Sequence, residues 1–447
     1  MASGILFVAL PLLCGAPLAG QVTGGADQPS PLDRRARAAV VDSLRALLVR
    51  VYVDADTGRL IAEHLRRRAA AGAYDRLTDR GEFGRALTRD LRSVNRDEHL
   101  GVGYEPGAPL DRLGPRGLEF AGEGGGDDSA AVEAQARGLH YGLGKLEILA
   151  GNIGYAELTG FFEGAGAERM MLAALEYLKD TDAVILDLRR HGGGSGDMSN
   201  WLLSHFLGPD SLLTLRVAER VNARTVDRYT LARVPGPRRA EVPLYVLTSR
   251  GTASAAEDFT FVLRNLDRVI VIGDRTAGAG HNNTLLGLGE GFIASISFSR
   301  VTDPASGREW ERTGIAPDIA VPAHEALAAA HLAALDSLGA ALPPPAARRL
   351  SLLRETAAAG YAPRTVPDSL LMRYAGSYGD RHVTIRNGAL WYRRGELQET
   401  PLIALTDSTF STERTPAMRF EFRIREDSVR LLLRQPDGRV EEVARDR

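Results

Sequence analysis

Leu244-Tyr245-Val246-Leu247-Thr248 runs directly into Ser249-Arg250-Gly251-Thr252-Ala253-Ser254-Ala255-Ala256-Glu257. Five mostly apolar, β-prone residues read as a buried strand, and Gly251 marks a tight turn. Helical texture then continues to about residue 265, so Ser254 falls in the first turn of a helix. A serine there meets unpaired backbone N–H groups and the positive end of the helix dipole, both of which favour developing negative charge. The same placement equally describes an ordinary N-cap.

The strand–turn–helix texture repeats outward from this point. Residues 153–158, 183–187 and 269–272 read as further strands, and 167–178 and 198–206 as helices. Strands alternating with helices predict an α/β core with parallel pairing. Upstream, Val40, Val41, Leu44, Leu47, Leu48 and Val51 recur at three- and four-residue spacing and predict a small helical bundle over 31–95. The α/β core is expected over 96–325, with a loop at the glycine-rich stretch 122–128. An Ala/Leu-rich helical linker with the break Pro343-Pro344-Pro345 occupies 326–366, and short alternating strands with turn signals predict a small all-β module over 367–447.

Composition narrows the chemistry. A net charge of −2 gives no reason to expect a nucleic-acid surface or a polybasic membrane anchor. Lys145 and Lys179 are the only lysines, so nearly every position is closed to a lysine base. The apolar run 5–13, followed by small residues 14–20, reads as a signal peptide over 1–20 and predicts a secreted or periplasmic protein with no stable membrane anchor. Cys14 is the sole cysteine and lies inside that leader, which excludes disulfides, cysteine-ligated zinc and cysteine catalysis from the mature chain. No metal site or cofactor is expected.

Four further elements carry chemistry. Asp187-Leu188-Arg189-Arg190-His191-Gly192-Gly193-Gly194-Ser195-Gly196 takes a strand through three glycines, a geometry that turns backbone N–H groups into a cleft. It is neither a nucleotide-binding P-loop, lacking Gly-Lys-Ser/Thr, nor a Gly-x-Ser-x-Gly elbow, since Asp197 follows Gly196. Asn95-Arg96-Asp97-Glu98-His99-Leu100 and Trp310-Glu311-Arg312-Thr313-Gly314 supply an imidazole and a carboxylate. His281, after Ala277-Gly278-Ala279-Gly280, is a candidate cleft contact and a weaker candidate for the base.

In this order, and together with Gly151-Asn152-Ile153-Gly154-Tyr155 and Gly273-Asp274-Arg275-Thr276-Ala277-Gly278, the elements resemble the tail-specific, or C-terminal processing, serine peptidases. The likeness is to the branch that includes modules of interphotoreceptor retinoid-binding protein and tricorn-like peptidases. It implies a crotonase/Clp-like β/α spiral core with Ser254 as nucleophile. The downstream lysine of the better-known members is missing, so the tricorn-like pattern implies His99 as base and Glu311 as its orienting carboxylate. Gly193 and Ala255 are the expected oxyanion donors. The family's usual Asn is His191 here, and residues 101–144 are too few for its PDZ domain. The implied substrate is an extracytoplasmic peptide or unfolded protein; an apolar-ligand carrier and a small-substrate esterase or amidase are the alternatives.

Overall fold

The structure, a computed structural model, describes residues 31–105, 129–426 and 428–446. The expected leader at 1–20 and the loop at 122–128 lie outside them. Among the described residues, three helices come first: α1 (Arg34–Val51), α2 (Ala55–Ala70) and α3 (Arg80–Asn95). Each begins with an aspartate whose side chain accepts a backbone N–H of the first turn: Asp33 from Ala36, Asp54 from Thr57 and Asp79 from Glu82. Helix α3 ends where Arg96 turns left-handed, and strand β1 (Gly101–Tyr104) follows.

The core then unfolds as α4 (Ser129–Gly138), β2 (Leu143–Leu149), β3 (Ile153–Leu158), α5 (Ala165–Tyr177), β4 (Ala183–Asp187), α6 (Gly196–Ser204), β5 (Leu213–Glu219), β6 (Arg224–Tyr229), β7 (Leu244–Thr248), α7 (Ala255–Asn265), β8 (Ile270–Gly273), β9 (Asn282–Gly289), β10 (Phe292–Thr302) and β11 (Ile319–Ala320). The central sheet has the order β11-β8-β7-β4-β3-β2. Every pair is parallel except β2 with β3. Side chains alternate across it. Val184, Leu186 and Val246 face the core built with α5, α6 and α7, whereas Ile185, Tyr245 and Leu247 face the opposite side. The mixed α/β class expected from the sequence is the class observed.

A second, antiparallel sheet runs β1-β10-β5-β6, with β9 also pairing β10. The N-terminal helices pack on it: Val40, Leu44, Leu48, Leu65 and Leu87 share one buried cluster with Phe292, Ala294, Ile296 and Phe298. Phe83 meets Phe292 edge-on at 5.5 Å between ring centroids. The helices expected over 31–95 are therefore one face of a joint layer with the core, and β1 ties them in by pairing Gly101–Tyr104 with Phe292–Ser295.

Helix α8 (Ala326–Ala340) covers the remaining face of the central sheet, with Ala326, Ala330 and Ala334 fully buried against Ile153 and Ile185, and α9 (Pro344–Tyr361) packs on α8. A segment that reads as a linker is thus a structural layer, because small alanines let the helix backbone approach the strands closely. Helix α10 (Asp368–Tyr374) and nine short strands complete the C-terminal module around Tyr374, Tyr378, Phe410 and Phe422. Among the described residues no helix is long and apolar enough to cross a membrane.

Candidate active site

Ser254 directly precedes α7 and has φ +54° and ψ −121°. An ordinary N-cap residue sits in the extended region, so this backbone is not that of a simple cap. A non-glycine residue held here carries strain that its surroundings must offset. Glu257 supplies the main restraint. Its buried carboxylate accepts the amides of Ser254 at 3.0 Å, Gly278 at 2.7 Å and Ala279 at 2.8 Å, and also the Thr276 hydroxyl. One carboxylate therefore locks the serine turn to the loop that leads into β9. Burial pushes the Glu257 carboxyl up to about 7, and these four donors limit the rise.

That loop ends in His281, which lines a cleft of about 210 Å³ together with Ser254, Gly194, Ala255, Arg228 and Trp310. His281 Nδ1 lies 3.3 Å from Asp97 Oδ2 and 3.7 Å from Glu311 Oε2, while Nε2 is buried without a partner. Asp97 is fully buried, accepts the Tyr52 hydroxyl at 2.8 Å and takes the His99 amide at 2.9 Å. Glu311 Oε2 accepts the amides of Gly280 and His281 at 2.7 Å and 3.1 Å.

The ionisation of these groups follows from their packing. Burial by itself opposes charge on all three. At His281 it is outweighed by the Asp97 hydrogen bond and the Glu311 and Asp97 charges, and the pKa rises. At Asp97 burial is outweighed by the His281 hydrogen bond and by the His99 and His281 charges, and the carboxyl falls well below the usual range. Burial and the Asp97 charge push Glu311 up to about 7.

The expected base is arranged differently. His99 does not line the cleft, its Nδ1 is buried with no partner, and burial lowers its pKa to about 4. Glu311, expected on the far nitrogen of His99, instead sits against Nδ1 of His281. Arg92 fixes the turn carrying His99 by bonding the Leu100 carbonyl and the Glu98 carboxylate, both at 2.8 Å.

The expected oxyanion donors also separate. Ala255 N–H is the first of α7 and has no intrahelical acceptor. Gly193 N–H, by contrast, donates to His191 Nδ1 at 3.1 Å and is not free for an oxyanion. His191 is fully buried and packs at a tilt against Phe161, 4.2 Å between centroids. Burial pushes its pKa down to about 3, so the ring is neutral, and acceptance at Nδ1 puts its proton on Nε2. Gly193 itself, at φ +114°, is packed so closely that a Cβ there would lie 2.8 Å from Ser254 Cβ.

Sequence reading missed the part played by Asp97 and Tyr52. Their one visible signal was Asp97 two residues before His99, in a motif whose histidine drew the attention.

Comparison with known proteins finds its likenesses among peptidases. Residues 152–321 match peptidase family S41, and residues 33–113 match the N-terminal domain of Peptidase_S41 in eukaryotic IRBP. The chain is 28% identical over 166 residues to carboxyl-terminal-processing peptidase 3, chloroplastic, of Arabidopsis thaliana, covering 37% of this chain and 31% of that protein. It is 29% identical over 177 residues to a carboxy-terminal-processing protease of Bartonella bacilliformis, covering 38% and 39%. The match thus spans well under half the length of these relatives. Among solved structures, the photosystem II D1 C-terminal processing protease aligns with 64% of this chain and 92% of its own at 18% identity and a TM-score of 0.37.

Proposed function

Because the chain belongs to peptidase family S41, we propose that it is a serine-type peptidase working through an acyl-enzyme on Ser254. His281 is the base of this proposal. The observation that carries it is the shared cleft: Ser254 and His281 line one cavity, and His281 presents Asp97 with Nδ1 while Nε2 has no partner. A carboxylate on one ring nitrogen fixes the tautomer and stabilises the imidazolium that forms when the other nitrogen takes the serine proton. Asp97 fills that orienting role, and Glu311 adds a second carboxylate and anchors the His281 backbone.

In this mechanism Ser254 Oγ attacks the substrate carbonyl and His281 receives the hydroxyl proton. Ala255 N–H and the positive end of α7 stabilise the tetrahedral oxyanion. His281 then returns the proton to the leaving amine, and water repeats the sequence to release the acid. The substrate is a peptide or unfolded protein entering a cleft with apolar walls from Val217, Val226, Phe298 and Val301. The apolar run at 5–13 supports an extracytoplasmic setting.

The test is fluorophosphonate labelling, with the modified residue located by mass spectrometry. Labelling at Ser254, absent from Ser254→Ala and from His281→Ala, is expected. If label is retained in His281→Ala and lost in His99→Ala, His99 is the base. A folded protein that takes no label and cleaves no peptide moves the apolar-ligand carrier to the front. Ester hydrolysis without peptide hydrolysis favours the esterase.

A further inference from the structure

Two buried carboxylates share a single imidazole at the end of the cleft. Asp97 is 0% exposed, Glu311 5% and His281 8%. Among the described residues, no guanidinium or ammonium bonds either acid; Asp97 is held by Tyr52, His99 and His281, and Glu311 by two backbone amides and the His281 charge. Buried charges are ordinarily paired or coordinate a metal. One oxygen of the cluster, Glu311 Oε1, is buried with nothing to bond.

The spacing fits a cation. One ligand atom from each residue lies within 4.8 Å of the others, with the closest approaches at 3.3 Å and 3.7 Å. Tetrahedral zinc, with bonds near ~2.0–2.1 Å, sets neighbouring ligand atoms roughly 3.3 Å apart. The ligand set, one imidazole and two carboxylates, suits zinc-type first-row ions, whereas magnesium and calcium prefer oxygen alone. Outer hydrogen bonds already orient the donors: the Tyr52 hydroxyl and His99 amide on Asp97, and the Gly280 and His281 amides on Glu311.

We propose that Asp97, His281 and Glu311 form a zinc-type divalent cation site that inhibits the enzyme when filled. Binding displaces the proton held within the cluster to solvent and leaves His281 unable to become the imidazolium that proton transfer requires. The cation takes Nδ1 of His281 and one oxygen from each carboxylate, with the open position left to water. The inhibitory consequence rests on His281 being the base; the binding does not.

The experiment uses chelator-stripped Ser254→Ala protein, which cannot turn over. Zn²⁺ is titrated by calorimetry, and Co²⁺ by its visible absorption, which reads coordination geometry directly. One saturating ion per chain with intense tetrahedral-type bands is expected, lost in His281→Ala and weakened in Glu311→Gln, which takes a charged ligand from the ion. Thermal melts of the metal-free variants establish that they are folded. No saturable binding, or binding unchanged in folded His281→Ala, overturns the site and leaves the cluster held by protons alone. In the wild-type protein, Zn²⁺ is expected to lower turnover at least about tenfold, with recovery on chelation. Saturable binding without inhibition overturns the inhibitory role and His281 as base together. A metal-free wild-type protein with no hydrolytic activity sinks the peptidase reading and leaves the binding result standing.

Discussion

The Gly193 amide donates to Nδ1 of His191 at 3.1 Å while the Gly193 Cα packs against Ser254, where an added Cβ would come within 2.8 Å of the serine Cβ. The residue expected to polarise a substrate carbonyl thus has its N–H turned onto a neutral, buried ring. Gly193→Ala combines a left-handed φ of +114° with that clash. We expect turnover to fall because Ser254 must shift away from the added Cβ, and the backbone strain to cost about 1–3 kcal/mol of stability. Steady-state kinetics beside a thermal melt checks it; full activity in a folded Gly193→Ala protein would remove Gly193 from the site.

Glu257 holds three amides and a hydroxyl with one carboxylate. Glu257→Gln replaces one acceptor oxygen with a donor facing N–H groups, so at least one buried amide is left unpaired. The expected cost is about 1–3 kcal/mol in denaturant unfolding. Catalysis is expected to fall further than stability explains, because the Ser254 turn loses its restraint. An unchanged kcat would show that the turn holds its own geometry.

The acid limb of kcat/KM reports the base. His281 must be neutral to accept the serine proton, and its pKa is raised above the ordinary ~6.5. Activity should therefore fall as pH drops through a value above that figure. Asp97→Asn removes the hydrogen bond and charge that help raise it, so the limb should move to lower pH while kcat drops. Were His99 the base, with its pKa depressed to about 4, the wild-type limb would lie far more acidic.

Stability has its own pH signature. Glu311 is raised from 4.5 to about 7, so the folded protein takes up a proton that the unfolded chain has released across that window. Its contribution is present below about 4.5 and is lost as pH rises through about 7. Glu311→Gln mimics the protonated form. Its melting temperature relative to wild type should be more favourable near pH ~8 than near pH ~5, and an unchanged difference would mean that Glu311 is already ionised at low pH.

Periodicity alone made much of the architecture legible. The α/β alternation, the helices at 31–95 and the strand–turn–helix carrying Ser254 all follow from patterns within about twenty neighbouring residues. The antiparallel pair β9–β10 escaped, because Asn282–Gly289 is half-buried along much of its length and lacks a clean alternation. Residues 326–366 read as a linker because an alanine helix has no marked apolar stripe; burial of Ala326, Ala330 and Ala334 shows only where the sheet meets it.

Local propensity alone encodes the Ser254 turn: Thr248 to Glu257 carries a strand end, a turn and a helix start. Which imidazole meets which carboxylate is settled by contacts between distant parts of the chain. Asp97 and His281 are 184 residues apart, and they meet because β1 and β9 pair with opposite edges of β10. No local pattern carries that information, since the pairing that sets it is a property of the whole sheet and of the helices buried against it.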